Sequence, residues 1–265
     1  MNIYLHELRS YRKNTLLWIA GLGAGALFMF WMFPTFAQNI APLQQMLANF
    51  PPVVQAAFGL SVERIGSVTG FYSFVVTFLM LCGAVQAMNL GVSVMTKEQT
   101  GKTADFLLTK PRARGGVAAA KLLAAFTCVA ATSAVYIGVT TGMAAAVSAE
   151  PVEYGPFLLM SLAFFFVQVI FLAMGFFTGA VWPKIRSVLP VSLSTVFGFY
   201  IVGMVAAALE REDLYYLSPF KYFDTVHILM KSSYQPSFLV TGAAVTALCV
   251  LAGMIVFVRR DVHAA

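Results

Sequence analysis

Charge is what this chain has least of. Only 11% of its 265 residues are Asp, Glu, Lys or Arg, less than half of the roughly 25% usual in a soluble domain. Cysteine is also sparse. Cys82, Cys128 and Cys249 are an odd number lying in separate apolar runs, which gives neither a disulfide framework nor a metal cluster. His6, His227 and His263 are scattered with no ligand spacing. No long apolar run holds an unpaired charge near its middle, and this argues against an ion-coupled carrier, because a charge held in the membrane is what couples an ion to movement. A phosphate loop is missing too. Gly101, Lys102 and Thr103 spell the end of one, but position 96, where its first glycine belongs, is Thr, and a charge-free run rather than a strand precedes it.

What remains is apolar. Sixty per cent of the residues are hydrophobic, and about 20 consecutive apolar residues in a helix cross a bilayer. Six such windows recur, at 16–36, 71–95, 122–147, 157–182, 188–209 and 238–258. The expectation is an all-α integral membrane protein, one transmembrane domain over 1–265. The start, MNIYLHELRSYRK, mixes Ile3, Leu5, Leu8 and Tyr11 with His6, Glu7, Arg9, Arg12 and Lys13. That pattern predicts an amphipathic helix on the membrane surface, the alternative being the frayed end of the first span. It does not resemble a cleaved leader.

Positive charge orients the spans. With the amino terminus in the cytoplasm, thirteen Lys and Arg fall on that side and four outside: Arg64, Arg211, Lys221 and Lys231. The positive-inside rule then places both termini and the 97–121 loop in the cytoplasm of a multi-pass cell-membrane protein. Most acidic residues, Glu63, Glu150, Glu153, Glu210, Glu212, Asp213 and Asp224, fall outside. The basic pI of 9.3 therefore describes a membrane face in contact with lipid headgroups, and nucleic acid is not an expected partner.

The connections carry further signals. Short ones at Ser148–Pro156 and Pro183–Ser187 make spans three, four and five antiparallel neighbours. In the long Ala37–Gly70 connection, Leu43, Met46, Leu47 and Phe50 recur at helical spacing and predict a helix at the outer surface, broken by Pro51 and Pro52. In Glu210–Ser237, the aromatic stretch YLSPFKYFDTVHILM predicts a short helix pair that dips back before the last span. Gln86, Asn89 and Gln168 are the notable polar residues inside spans, read either as interhelical bonds or as contacts on a transport path.

In the 97–121 loop, Ala104, Leu107 and Leu108 fall on one face of a short helix after Gly101, and Pro111 ends it. Lys102, Asp105, Lys110, Arg112 and Arg114 surround that face. An apolar knob ringed by charge suits docking to a soluble partner.

At these residues the chain resembles the permease subunits of ABC-type exporters, the six-span class with a type V exporter fold. The matching pattern is Glu98, Gly101, Leu107, Leu108, Pro111 and Arg114, with Lys121 at the head of span three. Lys102 and Thr103 after the glycine depart from it. The amphipathic start is similar to the family's connecting helix, Leu217–Asp224 to its outer re-entrant segment, and Phe257–Val262 to its usual ending. The resemblance implies a coupling helix at Glu98–Arg114. It also implies two copies of a cytoplasmic ATPase that bind ATP and Mg, no cofactor in this chain, and a second permease subunit, identical or related. Spans two and five would line the path. The cargo implied is amphipathic or hydrophobic: a peptide antibiotic, a drug or a lipid-like molecule moved outward. Two other classes are weighed. An intramembrane hydrolase would need a nucleophile and base, or acidic metal ligands, at membrane depth, and the spans hold none. A non-transporting anchor or sensor would use the same loop to recruit a cytoplasmic protein.

Overall fold

A computed structural model of the chain describes residues 3–38, 40–51, 54, 64–100, 114–148, 151–185, 187–209 and 211–259. Among them every regular element is helical. Six helices are long and apolar enough to cross a membrane: α1 (Ile3–Gln38), α3 (Val68–Thr100), α4 (Arg114–Val147), α5 (Tyr154–Val181), α6 (Val188–Ala208) and α9 (Pro236–Arg259). Between them stand α2 (Ile40–Ala48), α7 (Glu212–Tyr215), a 3-10 turn (Lys221–Phe223) and α8 (Thr225–Lys231).

The helices outrun the apolar windows. At about 1.5 Å per residue, the 33 residues of α3 run about 50 Å, some 20 Å more than the hydrocarbon layer. Charge-free runs mark only what lipid forbids, so the polar ends of α1, α3 and α4 were invisible to them.

The start of the chain is not a separate surface helix. Residues 3–15 continue unbroken into the first span, and their buried side chains Glu7, Tyr11 and Thr15 extend the stripe carried on by Leu22, Ala26 and Phe30. The reason is local. Tyr11 hydroxyl meets Ser93 Oγ of α3 at 3.0 Å, Tyr4 hydroxyl meets Thr127 Oγ1 of α4 at 3.1 Å, and Glu7 is ion-paired. Bundle partners replace headgroups on that face.

At the centre lie α3 and α5. In their most apolar windows 72% and 61% of residues are buried, against 22% in α1, 17% in α6 and 11% in α9. Small residues allow this contact, since without water to drive association, membrane helices bind through close backbone approach. A Cβ on Gly91 of α3 would lie 2.4 Å from the Leu172 carbonyl of α5, and one on Gly179 would lie 2.8 Å from the Val92 carbonyl. The expectation for spans three to five holds in part. The α4 and α5 helices are neighbours, but α6 leans on α3, meeting α5 through Phe199 on Phe171 with ring centroids 6.1 Å apart. The α5 surface is already taken by α3, α4 and α9.

The connections gather at two ends. Arg64, before α3, reaches Glu153, before α5, at 3.3 Å, and donates to the Leu229 carbonyl of α8 at 2.9 Å. At the opposite end α1, α3 and α4 meet through charge. Residues 211–237 hold α7, the 3-10 turn and α8. Asp224 caps α8 by accepting from His227 N–H at 2.9 Å, and Ser232 ends it in the left-handed region at φ 51°. In α2, Leu47 is buried while Met46 is exposed, as is Phe50 just beyond the helix; the side chain of Leu43 lies outside the described residues.

Candidate functional site

The loop that carries the sequence motif falls between α3 and α4. Gly101, Lys102, Ala104, Asp105, Leu107, Leu108, Pro111 and Arg112 lie outside the described residues, as do the Glu98 side chain and Arg260–Val262 of the ending. What the structure places are the two feet of that loop. Helix α3 delivers Lys97 and Glu98 to its last turn, and α4 opens on Arg114, with Lys121 two turns further in.

Both feet are held by one carboxylate. Glu7 of α1 is 2% exposed. Its Oε2 accepts a short hydrogen bond from Lys97 Nζ, and its Oε1 lies 4.0 Å from Lys121 Nζ. Lys121 is fully buried and donates to the Val94 carbonyl of α3 at 2.8 Å. Lys97 also sits 4.9 Å from the centroid of the Tyr11 ring, a cation over an aromatic face. As the basic residue in the last turn of α3, it complements the negative end of the helix dipole. Three helices are thus joined by one acidic and two basic side chains, two of the three out of water. Such a group is stable while complete and costly to break, because removing one partner strands a buried charge.

Sequence reasoning missed this group. It read Lys121 as the point where the chain re-enters lipid, whereas the longer helices carry it into the protein interior. A signal was available: Glu7 is the only acidic residue before Glu63, set among basic neighbours and spaced four residues from Tyr11, which shares its buried face.

Deeper in the bundle the structure brings Gln86 and Gln168 together. Gln168 Nε2 of α5 donates to Gln86 Oε1 of α3 at 3.1 Å and to the Gly83 carbonyl at 3.3 Å. Gln86 Nε2 donates to Thr132 Oγ1 of α4 at 2.9 Å, and Ser133 of the same helix donates to Gln168 Oε1 at 2.5 Å. Both amides are buried, so within this chain they bond one another across three helices. Asn89 is half-buried and stands apart from this network. A second buried group joins the same helices further along, where Tyr72 hydroxyl meets Tyr136 hydroxyl at 3.0 Å and Ser161 Oγ at 2.9 Å. With the glycine contacts, these bonds make α3, α4 and α5 one stiff unit.

Among the described residues no cluster of His, Cys, Asp or Glu could hold a metal ion. The geometry is that of a loop mounted between two long helices, whose feet are tied to a third helix and whose shafts are tied to a fourth. Residues 1–262 match a family model described as ABC-2 family transporter protein. A search of curated proteins found no match.

Proposed function

The chain belongs to the ABC-2 family of transporter proteins, and from that premise we propose that it is the permease of an ATP-driven exporter that moves amphipathic or hydrophobic cargo outward. As a multi-pass membrane component of an ABC transporter, it works with an ATP-binding subunit. In our reading that subunit is a separate cytoplasmic ATPase, present in two copies, which binds ATP and Mg, and a second permease, identical or related, completes the path. The chain is one transmembrane domain in the cell membrane with both termini and the 97–121 loop in the cytoplasm.

The observation that carries this reading is the Glu7 group at the feet of the loop. In the proposed mechanism, Leu107 and Leu108 seat in a groove of the ATPase, with Ala104 beside them and Lys102, Asp105, Arg112 and Arg114 at the rim. Gly101 and Pro111 bound the knob, and Glu98 stands at its hinge on α3. Closure of the ATPases around nucleotide pushes the knob. Lys97 and Lys121 pass that displacement to α1 through Glu7, and the contact of Gly91 with α5 makes α3 and α5 move together. The path then opens to the other side, a population shift driven by unequal binding to two conformations. Exposed side chains of α3 and α6, such as Phe78, Phe197 and Ile201, are apolar, which suits such a cargo.

Reconstitution of the chain with its ATPase in proteoliposomes tests this. Amphipathic compounds should stimulate ATP hydrolysis and accumulate on the side away from the ATPase. An assembled complex whose hydrolysis no compound stimulates, and which moves none, would make the chain a membrane anchor instead.

A further inference from the structure

We propose that a cavity between α3, α6 and the segment after α7 is a binding subsite for a carbonyl or carboxylate oxygen of an amphipathic molecule. The proposal deepens the transport reading and rests on it only in calling the occupant cargo. The cavity holds about 30 Å³, two to three times the roughly 10–15 Å³ that admits one water molecule. It therefore fits a functional group, with the body of the molecule lying outside along the apolar rim.

The walls are Thr77 and Met80 of α3, Tyr200 and Met204 of α6, and Phe220 and Phe223. Two observations point to a polar occupant. Among the described residues the buried Tyr200 hydroxyl has no hydrogen-bond partner, a state that buried hydroxyls rarely keep. Its ring is set edge-on to Phe220, with centroids 5.5 Å apart at 88°, and both residues line the cavity. Secondly, the same walls carry an ion pair. Lys221 Nζ lies 3.4 Å from Asp224 Oδ2 and 5.5 Å from the Tyr215 ring centroid, and the Lys221 side chain is 10% exposed.

The position of the pair adds to this. Thr77 Oγ1 is 3.4 Å from Thr225 Oγ1, which fixes the segment beside the tenth residue of α3. That is about 13 Å along the helix from Val68. In our topology this lies below the outer surface, where ionisable side chains are costly and mark pathways more often than packing. Lys221 and Asp224 balance one another in charge, so the preference for an acceptor oxygen over a quaternary ammonium head rests on the Tyr200 phenol, which can donate a hydrogen bond.

The test is photolabelling of the full chain in phosphatidylcholine nanodiscs, without ATPase, so that failure here leaves the transport reading intact. The probes are decanoate and decyltrimethylammonium, each with a diazirine beside the head group, and labelled residues are mapped by mass spectrometry. We expect decanoate to label Met80, Met204 and Phe223 about ten-fold more than the cation does, as one charge-assisted hydrogen bond implies. Tyr200→Phe should remove most of that preference and leave labelling of exposed Leu193 and Leu189 unchanged. Unlabelled decanoate, but not the unlabelled cation, should compete in the wild-type chain. Repetition in diether lipid, which lacks acyl carbonyls, separates two sources of the oxygen. A rise in labelling identifies bilayer lipid as the resident occupant, an unchanged level identifies a site open to added amphiphile, and both support the acceptor chemistry. Equal labelling by the two probes, or full labelling in Tyr200→Phe, overturns the proposal.

Discussion

Gly91 and Gly175 meet backbone to backbone where α3 crosses α5. A Cβ on Gly175 would come within 2.5 Å of the Met88 carbonyl, and one on Gly91 within 2.8 Å of the Phe176 amide nitrogen. These atoms belong to two helix backbones and cannot step aside. Gly91→Ala should therefore destabilise the bundle by about 1–3 kcal/mol, the usual cost of overpacking. Gly138→Ala, where a Cβ meets nothing within 4 Å, should be neutral or stabilising by up to about 1 kcal/mol, since alanine is the better helix former. Denaturation in mixed micelles compares the two, and equal stability of both variants would remove the close crossing.

The Glu7 group predicts an unequal pair of substitutions. Glu7→Gln takes the carboxylate charge away from two ammonium groups, one of them fully buried, and should cost on the order of 3 kcal/mol. Lys121→Met leaves Glu7 paired with Lys97 and should cost less. The same denaturation series ranks them. A Glu7→Gln chain as stable as wild type would mean that the loop's feet are not clamped.

The buried amides should behave as one unit. Gln168→Leu leaves the Gln86 Oε1 and Ser133 bonds unmade, at a cost of about 1 kcal/mol by the scale of bonds inside membrane bundles. A double-mutant cycle with Gln86→Leu should show positive coupling. Strict additivity would separate the two residues.

Why some of this was legible and some was not follows from what lipid constrains. Hydrocarbon forbids charge, so the six spans appear in the sequence as charge-free runs. It is indifferent to how far a helix continues into water, so the first 13 residues of α1 and the Lys97 and Lys121 ends of α3 and α4 were read as surface or boundary. Gln86 and Gln168 were visible as polar residues at membrane depth, but that they bond each other depends on the crossing of α3 and α5, which glycine positions permit without announcing. The Tyr200 cavity had no signal at all. It arises where the 210–237 segment folds back on α3 and α6.

Topology makes a direct prediction from the positive-inside rule. In a background lacking Cys82, Cys128 and Cys249, cysteine at the exposed position Ser233 should react with an impermeant thiol reagent in intact cells, and cysteine at Thr109 should react only after lysis. The reverse pattern would invert the orientation and place the loop out of reach of ATP.

We propose that the 97–121 loop couples this permease to its ATPase through the apolar pair Leu107 and Leu108. Truncating a buried anchor commonly costs about 2 kcal/mol or more, and a rim charge such as Lys110 less than about 1 kcal/mol. The most direct measurement is ATPase co-purification and cargo-stimulated hydrolysis on the same preparation of the double variant Leu107→Ala, Leu108→Ala. The double variant should show normal expression, weakened capture of the ATPase and no stimulation, with Lys110→Ala close to wild type. A double variant that captures the ATPase and is stimulated as wild type is would contradict it.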